Sequence, residues 1–382
     1  MSSFFVAVVL DGDGAHPAAW RAADHRPDTL LSPERILSQV AEAERYGFDL
    51  IQFTDRQVPD QGTDGIVGQL DAVSLGAYVG PTTSTIGIAV GAQVLDPEPF
   101  HLAAQFASLD HASLGRAAWI VRADNDPLVA AAYGHPERDA EWVAVEVGEV
   151  IEAVRLLWDS WEDGTVIRDS ASGRYIDGDK LHHIDFVGEH FSVRGPLITP
   201  RPTQGQPVVL ADTSLLQQAL AAREASGRVS RIDGPLVDVA LVTGTNRVAV
   251  HEQAAAARDL GAPLVFVEVE VVLDTDTGTA AERLSRLDAD EPWGTGTRLR
   301  VVGSASEVSD ALAGLAEVVD GVLLHPAVLD ADLPELGRLV LPDLARRSVR
   351  QIPAVPGQDG AAAATTLRER LGLPRPANVF AA

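Results

Sequence analysis

TIGIAVGAQVLDPEPFHLAAQFASLDHASLGRAAWIV, Thr85 to Val121, contains the unit from which the fold is read. Its first ten residues and its last five are short apolar runs, while the segment between them is longer and amphipathic. Two strand-like runs joined by a helix-like stretch read as parallel neighbours with a crossover helix. Working outward, similar runs lie at Phe4–Leu10, Asp49–Thr54, Val208–Ala211, Val237–Val242, Leu264–Leu273 and Gly321–Leu324. With Thr85–Val94 and Ala117–Val121 they make eight strand candidates. Ile36, Val40, Ala43 and Gly47 repeat at helical spacing, and Val143 to Trp161 forms a long helix ending at Glu162–Gly164. The expected fold is α/β, a (β/α)8 TIM barrel with a long insertion before strand five. An open doubly wound sheet is the alternative, but no GxGxxG follows the first strand.

At 382 residues and 46% hydrophobic content the chain is long enough to bury one large core. We expect a single domain over residues 1–382, an insertion arm at 162–206 and a C-terminal tail at 351–382. The tail is Pro/Gly/Ala-rich from Gln351 to Ala364 and is expected to be extended there, with a last helical turn from Thr365 to Leu371. The apolar run FFVAVVL stops at Asp11 and no stretch reaches 18 apolar residues, so a cytoplasmic protein without membrane spans is expected. The absence of cysteine removes disulfides and thiolate chemistry. A formal charge of −25 argues against nucleic acid and anionic membranes as partners.

Barrel enzymes carry their reactive groups at the C-terminal ends of the strands. That rule selects His16 and Trp20, Thr54 and Asp55, Gln93 and Asp96, Arg122 to Asn125, Thr213 and Ser214, and His325. Asp55 stands between Thr54 and Arg56, where a carboxylate must bond a ligand's polar edge or its own neighbour. His16 and His325 are the candidate catalytic acids, because imidazole transfers protons near neutral pH. Trp20 and Asp96 are the candidate substrate contacts. His182, His183, Asp185 and His190 cluster within the polar arm, but a metal is not expected there. Asp110, His111 and Ser113 imitate a hydrolytic triad without a nucleophile elbow, so hydrolysis is rejected.

The arm itself reads LWDSWEDGTVIRDSASGRY from Leu157, then HHIDFVGEHFSVRGPLITPRPTQGQPVVL from His182, with FSVRGPLITP as a short hairpin. With HPAAWR at His16–Arg21, ERYGFDLIQFTD ending at Asp55, EPFHLAAQFASLDHASLGRAAW from Glu98 to Trp119, and LRERLGLPRPANVF from Leu367, it resembles one enzyme group over almost the whole chain. That group is the nitrilotriacetate monooxygenase, pristinamycin synthase and dibenzothiophene-sulfone monooxygenase branch of the bacterial luciferase-like flavin monooxygenases. The resemblance implies a (β/α)8 barrel that takes reduced FMN from a separate flavin reductase and oxidises a small organic substrate with dioxygen. It also implies a homodimer or homotetramer, and an arm that covers the barrel mouth and contacts a partner subunit.

On that reading Thr54, Asp55, Gln93, Arg122, Thr213 and Ser214 are the candidate flavin contacts, Thr54 and Asp55 by matching the family's FxxD position, and His16, Trp20 and His325 line the substrate side. Three flavin-contact segments depart from the family pattern. Where the family has S-x-x-G-R opening the helix after strand five, this chain has Ser214, Leu215, Leu216, Gln217 and Gln218, with Asp212 just upstream. Where the family reads W-N-V-V-T-S, it has Trp119, Ile120, Val121, Arg122, Ala123 and Asp124; an R-Y pair in the next helix is replaced by Val143 and Ala144. Losing one charge-assisted contact costs about 1.5–3 kcal/mol, roughly ten- to a hundredfold in affinity. Two further readings follow: a barrel paralogue with a degraded flavin site acting as a binding or subunit-partner protein, and a deazaflavin-dependent oxidoreductase.

Overall fold

The computed structural model describes residues 4–24, 26, 29, 31–55, 68–351 and 366–381. The expected extended tail at Gln351–Ala364 lies, apart from Gln351, outside them.

Eight parallel strands close a barrel: β1 (Phe5–Val9), β2 (Leu50–Thr54), β3 (Gly87–Gln93), β4 (Ala117–Arg122), β5 (Val208–Asp212), β6 (Val239–Val242), β7 (Leu264–Leu273) and β9 (Gly321–Pro326). All eight fall on the runs read from the sequence. A further strand, β8 (Leu299–Gly303), was not expected. The order is β6-β5-β4-β3-β2-β1-β9-β7-β8, and the pairing of β6 with β7 shuts the ring. β7 is ten residues long: Val239 to Val242 of β6 pair with Leu264 to Val267, and β8 takes over the same edge from Val269 to Leu273. β7 therefore rises past the rim and carries β8 as an extension of the wall. The sequence LRVVG of β8 alternates an arginine with apolar residues and stays only half-buried, which hid it among polar neighbours.

Each strand sends one face outward to helices and the other into the barrel, because side chains alternate along a strand. The outer layer includes α1 (Pro33–Tyr46), α2 (Ala72–Val79), α3 (Pro99–Ala112), α4 (Ala140–Asp159), α5 (Thr213–Ser226), α6 (Arg247–Asp259), α7 (Ala280–Asp290) and α8 (Ala305–Leu315). Trp119 of β4 and Trp158 of α4 meet edge to face at 6.2 Å, and Trp158 Nε1 donates to Ala103 O of α3 at 3.0 Å. Such a ring pair adds about 0.5–1.5 kcal/mol beyond its buried area.

The inward faces make a separate apolar cluster that includes Phe5, Ala7, Leu50, Ile120, Leu210, Leu241, Phe266 and Leu323. They leave a void of only about 10 Å3. Phe266 fills much of the axis, because opposite it stands Gly321, where an added Cβ would lie 2.6 Å from the ring. The floor is closed by Leu367, Leu371 and Leu373, which belong to the same cluster. Arg368 staples this segment in place, donating to Asp238 at 2.8 and 2.9 Å and to Gln206 O at 2.6 Å.

The arm forms two hairpins, Val166–Asp169 with Arg174–Ile176 and Phe186–Val187 with Ser192–Val193. It is pinned to the barrel by Trp161 Nε1 on Leu197 O at 2.6 Å and by Arg201 with Asp159 at 3.0 Å. Its histidines serve that packing. His182 bonds Glu162 and stacks on Phe380, His183 bonds Gly195 O, and His190 stacks on Trp142.

Candidate functional site

Above the apolar layer the barrel interior turns polar, since the inward positions one step further along the strands are Thr54, Arg122, Asp212, Glu268 and His325. β7 contributes most, because its inward face reads Phe266, Glu268, Glu270. Arg298 Nε donates to Glu268, Arg300 Nε donates to Glu270 at 2.8 Å, and His325 Nε2 lies 3.0 Å from Glu268 Oε2. The His325 imidazole and the Glu268 carboxylate are thus in direct contact inside the wall. Burial by itself raises the Glu268 carboxyl, but the nearby His325 and then Arg298 outweigh it and hold the group down at about 2.

The cluster continues to His16. The Arg300 guanidinium lies over the Trp293 ring at 3.9 Å, and the His16 ring meets Trp293 at 5.1 Å. Ala18 N donates to His16 Nδ1 at 3.0 Å, so the other ring nitrogen carries the proton and faces Asp288 Oδ1 at 3.2 Å. Burial lowers the pKa of His16, and Asp288 opposes that only in part. His16 is thus held as a neutral donor. Trp20 keeps a buried indole N–H without a partner.

The remaining expected residues lie around the rim, and most have their polar atoms engaged within the protein. Thr54 N donates to Asp11 at 2.8 Å and its hydroxyl accepts from Gln52 at 2.8 Å, while Gln52 Oε1 is buried without a partner. Asp55 N donates to Gly91 O and its carboxylate takes a long 3.5 Å contact from Gln69; the residues after it, Arg56 included, lie outside the described ones. Gln93 holds the loop after β4 through Asp124 O at 2.9 Å, and Arg122 pairs with Asp124 at 2.9 Å. Asp96 is buried between His135 at 2.7 Å and Arg138 at 3.0 Å, which makes it an anchor for the loop before α4. Thr213 donates to Leu241 O at 2.9 Å, tying β5 to β6.

Ser214 is the decisive case. Both its amide and its hydroxyl donate to Asp212 Oδ1, at 2.7 and 2.6 Å, so a carboxylate of the chain itself caps α5. Reading strand ends alone also missed Glu268, Glu270, Arg298, Arg300 and Trp293. The signal was VEVEV within β7, acids at period two in an otherwise apolar strand.

A family model for luciferase-like monooxygenases matches residues 15–320. The chain belongs to the luciferase-like monooxygenase family. It is 36% identical over 225 residues to N-acetyl-S-(2-succino)cysteine monooxygenase of Bacillus subtilis (strain 168), covering 58% of this chain and 51% of that one. Nitrilotriacetate monooxygenase component A of Aminobacter aminovorans is 35% identical over 229 residues, covering 56% and 50%. The chain therefore spans about half the length of these two relatives. A pristinamycin IIA synthase subunit of Streptomyces pristinaespiralis is 31% identical over 341 residues, and the match covers 89% of each chain. Among solved structures, EDTA monooxygenase from Chelativorans sp. BNC1 superposes with a TM-score of 0.75 at 22% identity over 98% of this chain and 99% of that one, a likeness of fold.

Reduced flavin mononucleotide is the group this family implies, and its phosphate needs free amides at a helix start and a cation, because those replace the water around roughly two negative charges. At α5 the donors of Ser214 are already taken by a carboxylate, and Arg122, at the end of the neighbouring strand β4, is paired with Asp124. The phosphate of a flavin mononucleotide does not fit this helix start.

Proposed function

We propose that this chain is the oxygenase of a two-component system, oxidising a small organic substrate with dioxygen and a reduced flavin supplied by a separate reductase. The observation that carries the reading is the family match across the barrel together with a mouth that seats two buried histidines, His16 and His325, beside an acid–arginine cluster. In that arrangement His325, in contact with Glu268, is the imidazole assigned to proton exchange with a substrate, while His16, bonded to Ala18 N and Asp288, braces the wall beside it. The apolar layer below keeps water from the barrel interior. The sequence relatives named above are monooxygenases or a synthase subunit and none is named for a deazaflavin, so the flavin is preferred as carrier.

A second reading has its own support. The end-to-end likeness to one subunit of a synthase and the carboxylate cap on α5 favour a partner subunit that completes an oxygenase without holding the flavin itself. Anaerobic titration with reduced flavin, followed by stopped-flow mixing with oxygenated buffer, separates the two. Micromolar binding with a delayed reoxidation of the flavin supports the oxygenase. No binding by the isolated chain rejects that reading in favour of the partner subunit.

A further inference from the structure

The Asp212 cap is one of four consecutive carboxylate caps, at α2 to α5, among the described residues of the mouth. In a (β/α)8 barrel every crossover helix begins at the rim, so its first-turn amides are the anion sites the fold offers. Here Asp71 caps α2, Glu98 caps α3, Asp139 caps α4 and Asp212 caps α5, each through its carboxylate. Glu282 and Glu307 close capping boxes at α7 and α8. The N-caps of these two are the hydroxyls Thr279 and Ser304, and α1 and α6 are capped by Ser32 and Asn246, so four of the eight helices carry a carboxylate N-cap. A carboxylate at a helix start satisfies the dipole that would otherwise favour an incoming anion.

Among the described residues, three arginines of the inner wall are matched in the same way. Arg298 and Arg300 pair with Glu268 and Glu270, and Arg122 with Asp124. Asp212 is the innermost of the caps, because it lies on the same strand face as Leu210 of the barrel interior.

We propose that this barrel mouth selects against phosphorylated ligands, with Asp212 as the determinant, so that a flavin is held by its ring and ribityl chain and riboflavin binds at least as tightly as FMN. The identity of the ligand rests on the oxygenase reading; the exclusion of phosphate does not.

The test is anaerobic equilibrium dialysis of the full chain with reduced riboflavin and reduced FMN, repeated on Asp212→Ser. Serine keeps a competent N-cap, so the variant retains its helix start. In the wild type the two affinities should agree within about threefold or favour riboflavin, and Asp212→Ser should shift the ratio at least about tenfold towards FMN. A wild type that binds FMN about tenfold more tightly than riboflavin, or a variant with an unchanged ratio, overturns the proposal. If neither protein binds either flavin, the oxygenase reading fails, and thermal unfolding in inorganic phosphate against chloride at matched ionic strength decides the remainder. Phosphate should then raise the midpoint of Asp212→Ser alone; an equal rise in both proteins, or none in either, overturns the proposal.

Discussion

Glu270 of β7 and Arg300 of β8 are register partners, and their side chains meet at 2.8 Å on the inward face. With Glu268 and Arg298 one step below, they form two acid–arginine rungs on the only stretch of β7 that β6 does not cover. The unexpected strand β8 therefore exists at the site, supplying the cations that let two glutamates stand inside a barrel wall. Removing either partner leaves the other half-buried and uncompensated.

Glu268 should make the protein acid-sensitive. A carboxyl held at about 2 when folded, against 4.5 otherwise, contributes stability that is fully present above 4.5 and lost as pH falls through about 2. The advantage of the wild type over Glu268→Gln in urea unfolding should shrink as pH is lowered from about 5 to about 2.5. A difference that stays constant over that range removes Glu268 as the cause.

Glu146 of α4 should act in the opposite direction. Burial first, and then Glu149, push its carboxyl up to about 7, and Oε2 is buried without a partner. The folded state favours the protonated form, so its contribution is present below 4.5 and lost as pH rises through about 7. Glu146→Gln should gain on the wild type across that window, by an amount on the order of 1–3 kcal/mol at its upper end. Chemical denaturation at pH values spanning the window measures it.

Gly321→Ala should destabilise the barrel by about 1–3 kcal/mol, since the new methyl meets the Phe266 ring in a core with no slack. The same substitution at Gly12, where a Cβ meets nothing within 4 Å but φ is +58°, reports backbone strain alone. Thermal unfolding of both variants separates packing from strain.

Arg368→Ala should cost about 3 kcal/mol or more, because it leaves Asp238 buried with Arg155 as its remaining cation and frees the segment under the barrel. Limited proteolysis near residue 366 should become faster in the variant. Unchanged unfolding would show that Leu367, Leu371 and Leu373 hold the floor without the ion pair.

The barrel was legible because β-branched runs and amphipathic stretches alternate eight times, and each run lies on an observed strand. β8 was not, because its arginines answer acids thirty residues away, a relation that periodicity cannot carry. At the site, the rule of inspecting strand ends selected His16, Arg122, Ser214 and His325, and the fold puts each at or beside the mouth. It passed over Glu268 and Glu270, since β7 continues beyond them and they are interior to its run. Asp212 was visible as an acid upstream of Ser214, but its occupation of both Ser214 donors depends on side-chain direction.

The residues that seal the barrel from beneath follow all nine strands in the chain. On the ribosome, each βα unit emerges before Leu367, Arg368 and Leu371 exist, so any cylinder that forms on the growing chain has an open base until that segment follows. A nascent chain arrested before that point would hold the wall but expose the inner faces of Phe5 and Leu50, a form suited to capture by chaperones.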